Sequence, residues 1–190
     1  LSTVYVPDVS SKGLTYFKVQ ARVEQNVKIG EFYKQPFVFN PIFRAGYGRG
    51  LSDQMKTLPY YAKFRLGSSD MVVRGIDPTA AGPYYIYQKT IQGQFGQKFF
   101  VNKTDFAGAD QFMGVNLSIW TPSPLPELIT PGVYYDVTNF KTDEFLGSGV
   151  RYSYGLAFKF NSPMGLINLA YAFKTKTLGK DEPRKFWFSM

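Results

Sequence analysis

The sequence predicts an all-β fold of short antiparallel strands, and three observations indicate it. Apolar and polar residues alternate in steps of two along several segments, which is the periodicity of a strand with one face covered. The 190-residue chain is interrupted by 18 Gly and 12 Pro, which favours frequent turns over long helices. Phe, Tyr and Trp make up 18% of the residues, and aromatic side chains are enriched in strands.

The clearest alternation lies between residues 149 and 173 and predicts a β-hairpin. One face of its first strand carries the apolar residues Tyr152, Tyr154, Leu156, Phe158 and Phe160. The segment Ser162-Pro163-Met164-Gly165 then predicts a tight turn, and a second alternating strand begins at Ile167. The same pattern predicts five further strands, at 17–24, 37–45, 113–120, 133–138 and 185–190, which makes seven strands in all.

The polar faces of these strands carry few long or charged side chains. Small residues dominate them, namely Gly114, Ser118, Ser153, Gly155, Ala157, Ala170 and Ala172. A water-soluble sheet normally carries long charged side chains there, whereas a transmembrane antiparallel β-barrel directs aromatic residues to lipid and small or ionic residues to the lumen. The pattern therefore favours the membrane barrel, with Tyr152, Phe173 and Trp187 expected in interfacial girdles. A soluble β-sandwich or soluble ligand-binding β-barrel of the same period is the alternative.

The composition excludes many enzyme chemistries. The chain has no Cys and no His, so disulfides, thiol nucleophiles, imidazole triads and His-based metal sites are absent from it. We expect no enzyme, no metal and no cofactor. The net charge is +8, but Lys and Arg are scattered over the sequence, so nucleic acid is not an expected partner. No apolar run reaches the roughly 20 residues of a membrane-spanning helix.

A long segment from about 47 to 106 lacks clear periodicity, apart from a possible hairpin near residues 84–101. Long connections of this kind are functional or disordered, and the apolar residues here favour packing against the rest of the chain. The segment contains Val73-Arg74-Gly75-Ile76, and it is preceded by Gly46-Tyr47-Gly48. It is followed by the strand from Met113 to Trp120 and by the hairpin described above. We treat residues 1–190 as one structural unit that contains this loop.

In this order the motifs resemble the BamA-like outer-membrane barrel-assembly superfamily, which includes the core barrel of the mitochondrial sorting and assembly machinery (SAM). The resemblance covers nearly the whole chain and implies the last seven or so strands of a sixteen-stranded barrel. Seven strands are fewer than the eight of the smallest bacterial barrels, so the chain is either part of a larger barrel or has an eighth strand. Residues 120–126 and 151–155 look most like the mitochondrial member.

The resemblance also implies which residues matter. In the family the loop Arg folds into the lumen and meets an inward acidic residue, which assigns these roles to Arg74 and Asp136. Alternation independently assigns Asp136 to the polar face of its strand. The alternative is that Arg74 is a solvated loop residue. Ile76 departs from the family pattern, which has an aromatic residue there, and the last strand lacks the usual Gly and final aromatic.

The implied function is the folding and insertion of unfolded β-barrel precursors through a lateral seam, without ATP. The seam strand would be formed by Phe186, Trp187, Phe188, Ser189 and Met190, preceded by Pro183, which cannot donate a ladder hydrogen bond. The implied partners are outer-membrane lipid, the precursors and accessory subunits of an assembly complex. The implied location is the mitochondrial outer membrane, with the bacterial or plastid outer membrane as alternatives. A missing initiator Met and the missing strands suggest a window on a longer or split protein.

A passive outer-membrane pore or secretion channel on the same barrel is the rival function. Its selectivity for anions would come from lumen cations, for which the candidates are Lys18, Arg22, Arg44, Arg151 and Lys159.

Overall fold

The computed structural model describes most of the chain and is all-β. The described residues are 2–3, 8–9, 15–51, 56–66, 71–77, 82–92, 98–106, 108–123, 128–141, 149–163, 165–178 and 180–189. Within them, the strands are β1 (Ser2–Thr3), β2 (Asp8–Val9), β3 (Thr15–Glu24), β4 (Val27–Phe32), β5 (Gln35–Gly50), β6 (Tyr84–Gln92), β7 (Lys98–Phe106), β8 (Gln111–Trp120), β9 (Ile129–Lys141), β10 (Gly149–Ser162), β11 (Gly165–Lys176) and β12 (Phe186–Ser189). The same residues include one 3-10 turn, Tyr60–Ala62. No helix among these residues is both long and apolar enough to cross a bilayer.

The strands form one large antiparallel sheet and a separate hairpin. The order in the large sheet is β1-β3-β5-β8-β9-β10-β11-β12, while β2 pairs with β3 and β4 pairs with β5. Strands β6 and β7 pair only with each other among the described strands. Strands β3, β5 and β8 to β12 correspond to the seven predicted segments, so the predicted all-β antiparallel fold is confirmed.

Strand β4 was not predicted, and it continues β3 along the same neighbour. Glu24 of β3 lies opposite Ile42 of β5, and Val27 of β4 lies opposite Phe39. The interruption falls opposite Pro41, which has no N–H to donate, although its carbonyl still accepts a hydrogen bond from the Gln25 amide at 3.2 Å. The six residues of β4 include two charged residues and a glycine, so the alternation of apolar and polar residues is not evident in the sequence.

The central strands alternate between a covered inner face and an exposed outer face, as predicted. Outward-facing Tyr154 and Leu169 are 39% and 38% exposed, whereas inward-facing Ser153 and Ala170 are 0% and 3% exposed. The outer face therefore presents a broad apolar and aromatic surface, which is the surface that lipid covers in a membrane barrel.

Two expectations about the interior were wrong. Trp187 does not join an outer aromatic girdle, because its side chain packs against an inner cluster of Trp120, Tyr134, Ala157 and Ala170. The inner face is also not simply aqueous. Part of it is covered by apolar residues of the long loop between β5 and β8, which form a core cluster with Phe112 of β8.

The two faces predict how stability depends on the depth of a charge in the membrane. Leu156 lies in the middle of β10 and Val150 near its start, and both side chains belong to the outward-facing set. We expect Leu156→Lys to reduce the free energy of unfolding in lipid vesicles by about 2–4 kcal/mol and Val150→Lys by about 0–1 kcal/mol. Urea titration followed by tryptophan emission measures both. Equal losses would contradict a lipid-facing surface.

Candidate functional site

The candidate site is built around the described part of the loop between β5 and β8, residues 56–66 and 71–77, which we call the docked loop. Most of its apolar side chains are buried against the inner face of the sheet. The core cluster consists of Leu58, Ala62, Phe64, Leu66, Met71, Val73 and Ile76 from the docked loop, with Tyr16, Ala109, Phe112 and Phe140. Phe64 and Ala109 also exchange backbone hydrogen bonds of 2.9 and 2.8 Å. The loop is therefore packed on the sheet as part of its core.

The small residues of the inner face make this packing possible. A Cβ atom on Gly114 would lie 2.3 Å from Cε and 2.7 Å from Sδ of Met71. Such distances are shorter than van der Waals contact, so a larger residue at this position of β8 would force the Met71 side chain to move.

The structure brings Arg74 of the loop motif onto Asp136 of β9. The guanidinium donates from Nε to Asp136 Oδ2 at 2.9 Å and from Nη2 to Oδ1 at 2.7 Å, so the pair is bidentate. The Arg74 backbone N–H donates to Oδ2 as well, at 2.9 Å. Nη2 also donates to Ser118 Oγ at 3.1 Å, and the guanidinium carbon lies 4.1 Å from the ring centroid of Tyr134. Arg74 is not a solvated loop residue, because its side chain is only 11% exposed and that of Asp136 is 0% exposed.

Asn116 of β8 holds the residues just before Arg74. Its Nδ2 donates to the backbone carbonyl of Val72 at 2.7 Å, and its Oδ1 accepts from Arg44 Nη1 at 2.8 Å. Polar residues of β8 and β9 thus bind both the backbone and the charged side chain of the motif.

The three residues that follow Arg74, residues 75–77, form a short antiparallel pairing with residues 182–184, shortly before β12. The Arg184 amide donates to the carbonyl of Gly75 at 2.8 Å, and the Asp77 amide donates to the carbonyl of Glu182 at 2.9 Å. Ile76 lies opposite Pro183, and Arg184 forms an ion pair with Asp77. Ile76 is almost fully buried, so an aliphatic side chain fills the position that is aromatic in the family pattern.

Gly75 has both a conformational and a steric reason to be glycine. Its φ is +87°, in the region that side chains disfavour. A Cβ there would lie 2.6 Å from Ala172 Cβ and 2.6 Å from Ser153 Oγ, so only glycine lets the motif approach β10 and β11 this closely.

A second buried ion pair was missed by the sequence analysis. Arg151 of β10 donates from Nε to Asp181 Oδ2 at 2.5 Å and from Nη2 to Oδ1 at 3.2 Å, and both side chains are 0% exposed. Asp181 also accepts from the amides of Gly82 and Leu178, at 3.0 and 2.9 Å. Arg151 was predicted to be a lumen cation that attracts anionic solutes. This prediction was wrong, because the Arg151 side chain is fully buried with Asp181 and is not available to solutes. Asp181 lies in the charged run Lys180-Asp181-Glu182, which resembles a solvated turn in the sequence.

A third carboxylate fixes the start of the docked loop. Asp110 Oδ1 accepts from Lys63 Nζ at 2.9 Å and from the backbone amide of Leu58 at 2.8 Å. The loop is thus held at its start and at its motif by buried charge-assisted hydrogen bonds, which are the stronger hydrogen bonds of proteins.

The predicted seam strand forms the end of the described sheet. Residues 186–189 of β12 pair with residues 168–171, which is 4 of the 12 residues of β11. The other edge of β12 has no strand partner among the described residues. Phe186 and Phe188 face outward and are 75% and 55% exposed, whereas Met190 lies outside the described residues.

Comparisons with known proteins agree with this architecture. A family model for the Omp85 superfamily domain matches residues 6–190. The crystal structure of BamA from Haemophilus ducreyi lacking POTRA domains 1–3 superposes with a TM-score of 0.70 at 21% sequence identity. The match covers 92% of this chain and 36% of that chain, so the chain spans about a third of that structure.

The Arg74 and Asp136 pair predicts a strong, non-additive effect of mutation. We expect Arg74→Gln and Asp136→Asn each to destabilise the docked loop by about 3–5 kcal/mol, because each leaves a buried charge without its partner. The double variant should lose less than the sum of the two. The rate of proteolysis within the loop, measured in detergent, reports its release. The control is Arg22→Gln, whose pair with Glu24 is exposed and should contribute about 0–1 kcal/mol. Additive losses would contradict a direct coupling.

Gly75→Ala tests the close approach of the motif to the sheet. Gly82→Ala is the matched control, since Gly82 also has a positive φ, +115°, but a Cβ there would meet no atom within 4 Å. Overpacking typically costs about 1–3 kcal/mol, so Gly75→Ala should accelerate hydrogen exchange at the Arg184 amide beyond the effect of the control. Equal exchange in the two variants would show that only backbone strain matters.

Proposed function

Because the chain belongs to the Omp85 superfamily, we propose that it forms part of an outer-membrane barrel that folds and inserts β-barrel precursor proteins. Membership of this superfamily implies the outer membrane. The outward apolar face of the sheet supports a position in lipid. In this proposal the partners are outer-membrane lipid, unfolded precursors and accessory subunits of an assembly complex.

The observation that carries the proposal is the weak end of the sheet at β12. The strand pairs over 4 residues, and the chain before it leaves the ladder to pair with the docked loop instead. A membrane sheet requires its edge N–H and C=O groups to be paired, because lipid offers no hydrogen bonds. Within the described residues β12 contributes few such pairs, so the seam next to it opens at low cost.

An open seam can act as a template for a precursor strand. The precursor exposes unpaired backbone groups, and the edge of β12 can satisfy them by strand addition. Each new pair and each apolar side chain moved into lipid favours the product, so nucleotide hydrolysis is not needed to drive the step. The role is that of a folding template, and we assign no catalytic residue.

The docked loop would keep the strands next to the seam in register while the seam opens. Arg74 binds Asp136 of β9, and Gly75 contacts β10 and β11, so the motif spans the strands that lead to the seam. Because the motif holds β9, β10 and β11 together, the opening is confined to β12.

We further propose the mitochondrial outer membrane and the SAM core barrel as the specific setting. The support is the similarity of residues 120–126 and 151–155 to the mitochondrial member. The solved BamA structure is bacterial, and it supports the architecture in either setting.

The passive pore is the weaker candidate. Of its five candidate cations, Arg151 is buried with Asp181, Arg22 pairs with Glu24, and Lys18 lies 4.2 Å from the ring centroid of Phe64. The docked loop also covers part of the inner face.

Photocross-linking tests the proposal directly. A photoreactive amino acid at Phe188 should label a stalled precursor, because this position lies on the last strand of the described sheet. The matched control is Phe158, which also belongs to an outward-facing set but lies on β10, a strand paired on both sides. Labelling at both positions or at neither, together with steady ion conductance, would favour the passive pore.

A further inference from the structure

The outer face of the large sheet carries a groove that takes no part in the proposed folding step. It is a cavity of about 590 Å³, and we call it the outer groove. Its lining comes mainly from apolar, outward-facing side chains, among them Ala21, Val23, Phe43, Met113, Val115 and Val150. Phe43 and Met113 are 50% and 66% exposed, so they project beyond the short alanine side chain. The volume lies within the range of roughly 300–1,000 Å³ that is usual for ligand sites.

The outer groove crosses five neighbouring strands. One row of directly paired residues follows it from β3 to β10, namely Ala21, Ala45, Met113, Asn139 and Val150. All five residues line the groove. Neighbouring strands lie about 4.8 Å apart, so the four steps of this row span about 19 Å.

Outward-facing cations mark the place where the membrane surface crosses these strands. In the described parts of β3, β5 and β8 to β12 they are Arg49, Lys141, Lys174 and Lys176, and no outward-facing carboxylate accompanies them. Tyr47 precedes Arg49 on the outer face of β5, and Tyr152 lies opposite Lys176. Aromatic residues and cations of membrane proteins gather at the interface. This end of the sheet is therefore the end that meets the headgroups.

The same cations give the tilt of the strands. Arg49 lies two residues beyond Tyr47, which belongs to the same row of paired residues as Lys141. Lys176, through its pairing with Tyr152, lies four residues to the other side of that row. The boundary therefore shifts by six residues, about 20 Å, over four strand spacings, about 19 Å. This corresponds to a tilt of about 45°, as in membrane barrels.

The outer groove consequently descends from the headgroups into the hydrocarbon. A row of paired residues runs at right angles to the strands, so it also meets the boundary at about 45°. The mouth of the groove, at Asn139 and Val150, lies next to the boundary, because Asn139 is two residues from Lys141. From there to Ala21 the row descends about 14 Å, close to half of the roughly 30 Å hydrocarbon core. The groove thus has the length and direction of an acyl chain in one leaflet.

We propose that the outer groove binds one phospholipid with an anionic headgroup, whose acyl chain follows the groove and whose phosphate lies near Lys141. This inference goes beyond the assembly role and requires only that the outer face contacts lipid. Gln111 lies directly opposite Lys141, and Asn139 precedes it by two residues, so an ammonium and two side-chain amides surround the mouth. Lys141 forms no ion pair with any described residue, so its charge is available to the phosphate.

The headgroup supplies the preference for one lipid over another. Lipid tails are as apolar as the side chains of the groove, so a tail placed there gains packing but no hydrophobic energy. A cation near the membrane surface raises the affinity for an anionic lipid by about fivefold. The shape of the groove therefore determines where a tail lies, and the charge of Lys141 determines which lipid carries it.

Native mass spectrometry of the full-length protein, released from a neutral detergent, measures the bound lipid. The probes are phosphatidylglycerol and phosphatidylcholine with identical acyl chains, added in equal amounts. We expect the phosphatidylglycerol adduct to exceed the phosphatidylcholine adduct by about fivefold. Lys141→Gln should remove this excess. The control Lys174→Gln removes the same charge from the outer face of β11, away from the groove, and should keep it.

Substitutions that fill the groove test the position of the acyl chain. Ala45→Phe should lose most of the adduct of both lipids, because the larger side chain occupies the groove. Ala21→Leu serves the same purpose if Ala45→Phe fails to fold. The control Val133→Phe enlarges a side chain that is 46% exposed on the outer face but does not line the groove, and it should keep both adducts.

Three results would overturn the lipid site. Equal loss of the phosphatidylglycerol excess in Lys141→Gln and Lys174→Gln would show that total surface charge selects the lipid. Adducts that survive both Ala45→Phe and Ala21→Leu would place the lipid elsewhere, and the absence of adducts from the unsubstituted protein would exclude the site altogether. The assembly role would stand in each case, because it depends on the edge of β12 and is read by photocross-linking.

Discussion

The position of the docked loop depends on one buried ion pair, between Arg74 and Asp136. Asp136 is fully buried on β9, so its charge must be compensated within the protein. Arg74 supplies two side-chain N–H donors and its own backbone N–H, and the planar geometry of the two groups fixes both distance and orientation. A loop that departs from this position would break three charge-assisted hydrogen bonds to Asp136 at once.

This constraint also explains the composition of the inner face. Where the loop comes closest to the sheet, the sheet presents small or polar residues. Gly114 leaves room for Met71, and Ser118 accepts from Arg74. Ser153 and Ala172 leave room for Gly75. The outer face does not contact the loop, so its residues can be large, aromatic and apolar. In the sequence, the small residues of the polar face indicate a membrane barrel. In the structure, the same face is the surface on which the loop docks.

The sequence predicts which face of the sheet a side chain lies on better than it predicts the contacts between distant residues. Alternation identifies the inner and outer sets on β8 to β11, because the side-chain period of a strand is fixed by its backbone. It cannot indicate that Arg151 meets Asp181, 30 residues away, since Asp181 lies in a charged turn whose path is set by the loop. Trp187 was misassigned for a related reason. A strand of four residues has too few positions for its composition to reveal which side is covered.

The motif and the terminal strand are physically linked, which ties loop docking to the seam. Residues 75–77 pair with residues 182–184, and one residue later the Lys185 carbonyl accepts from the Ala172 amide at 2.7 Å, where the chain joins β11. The start of β12 is therefore fixed by the same three residues that follow Arg74, while its outer edge has no partner among the described strands. Linkage requires the effect to be reciprocal. If a strand that binds β12 displaces residues 182–184, it weakens loop docking by the same free energy with which docking opposes its binding.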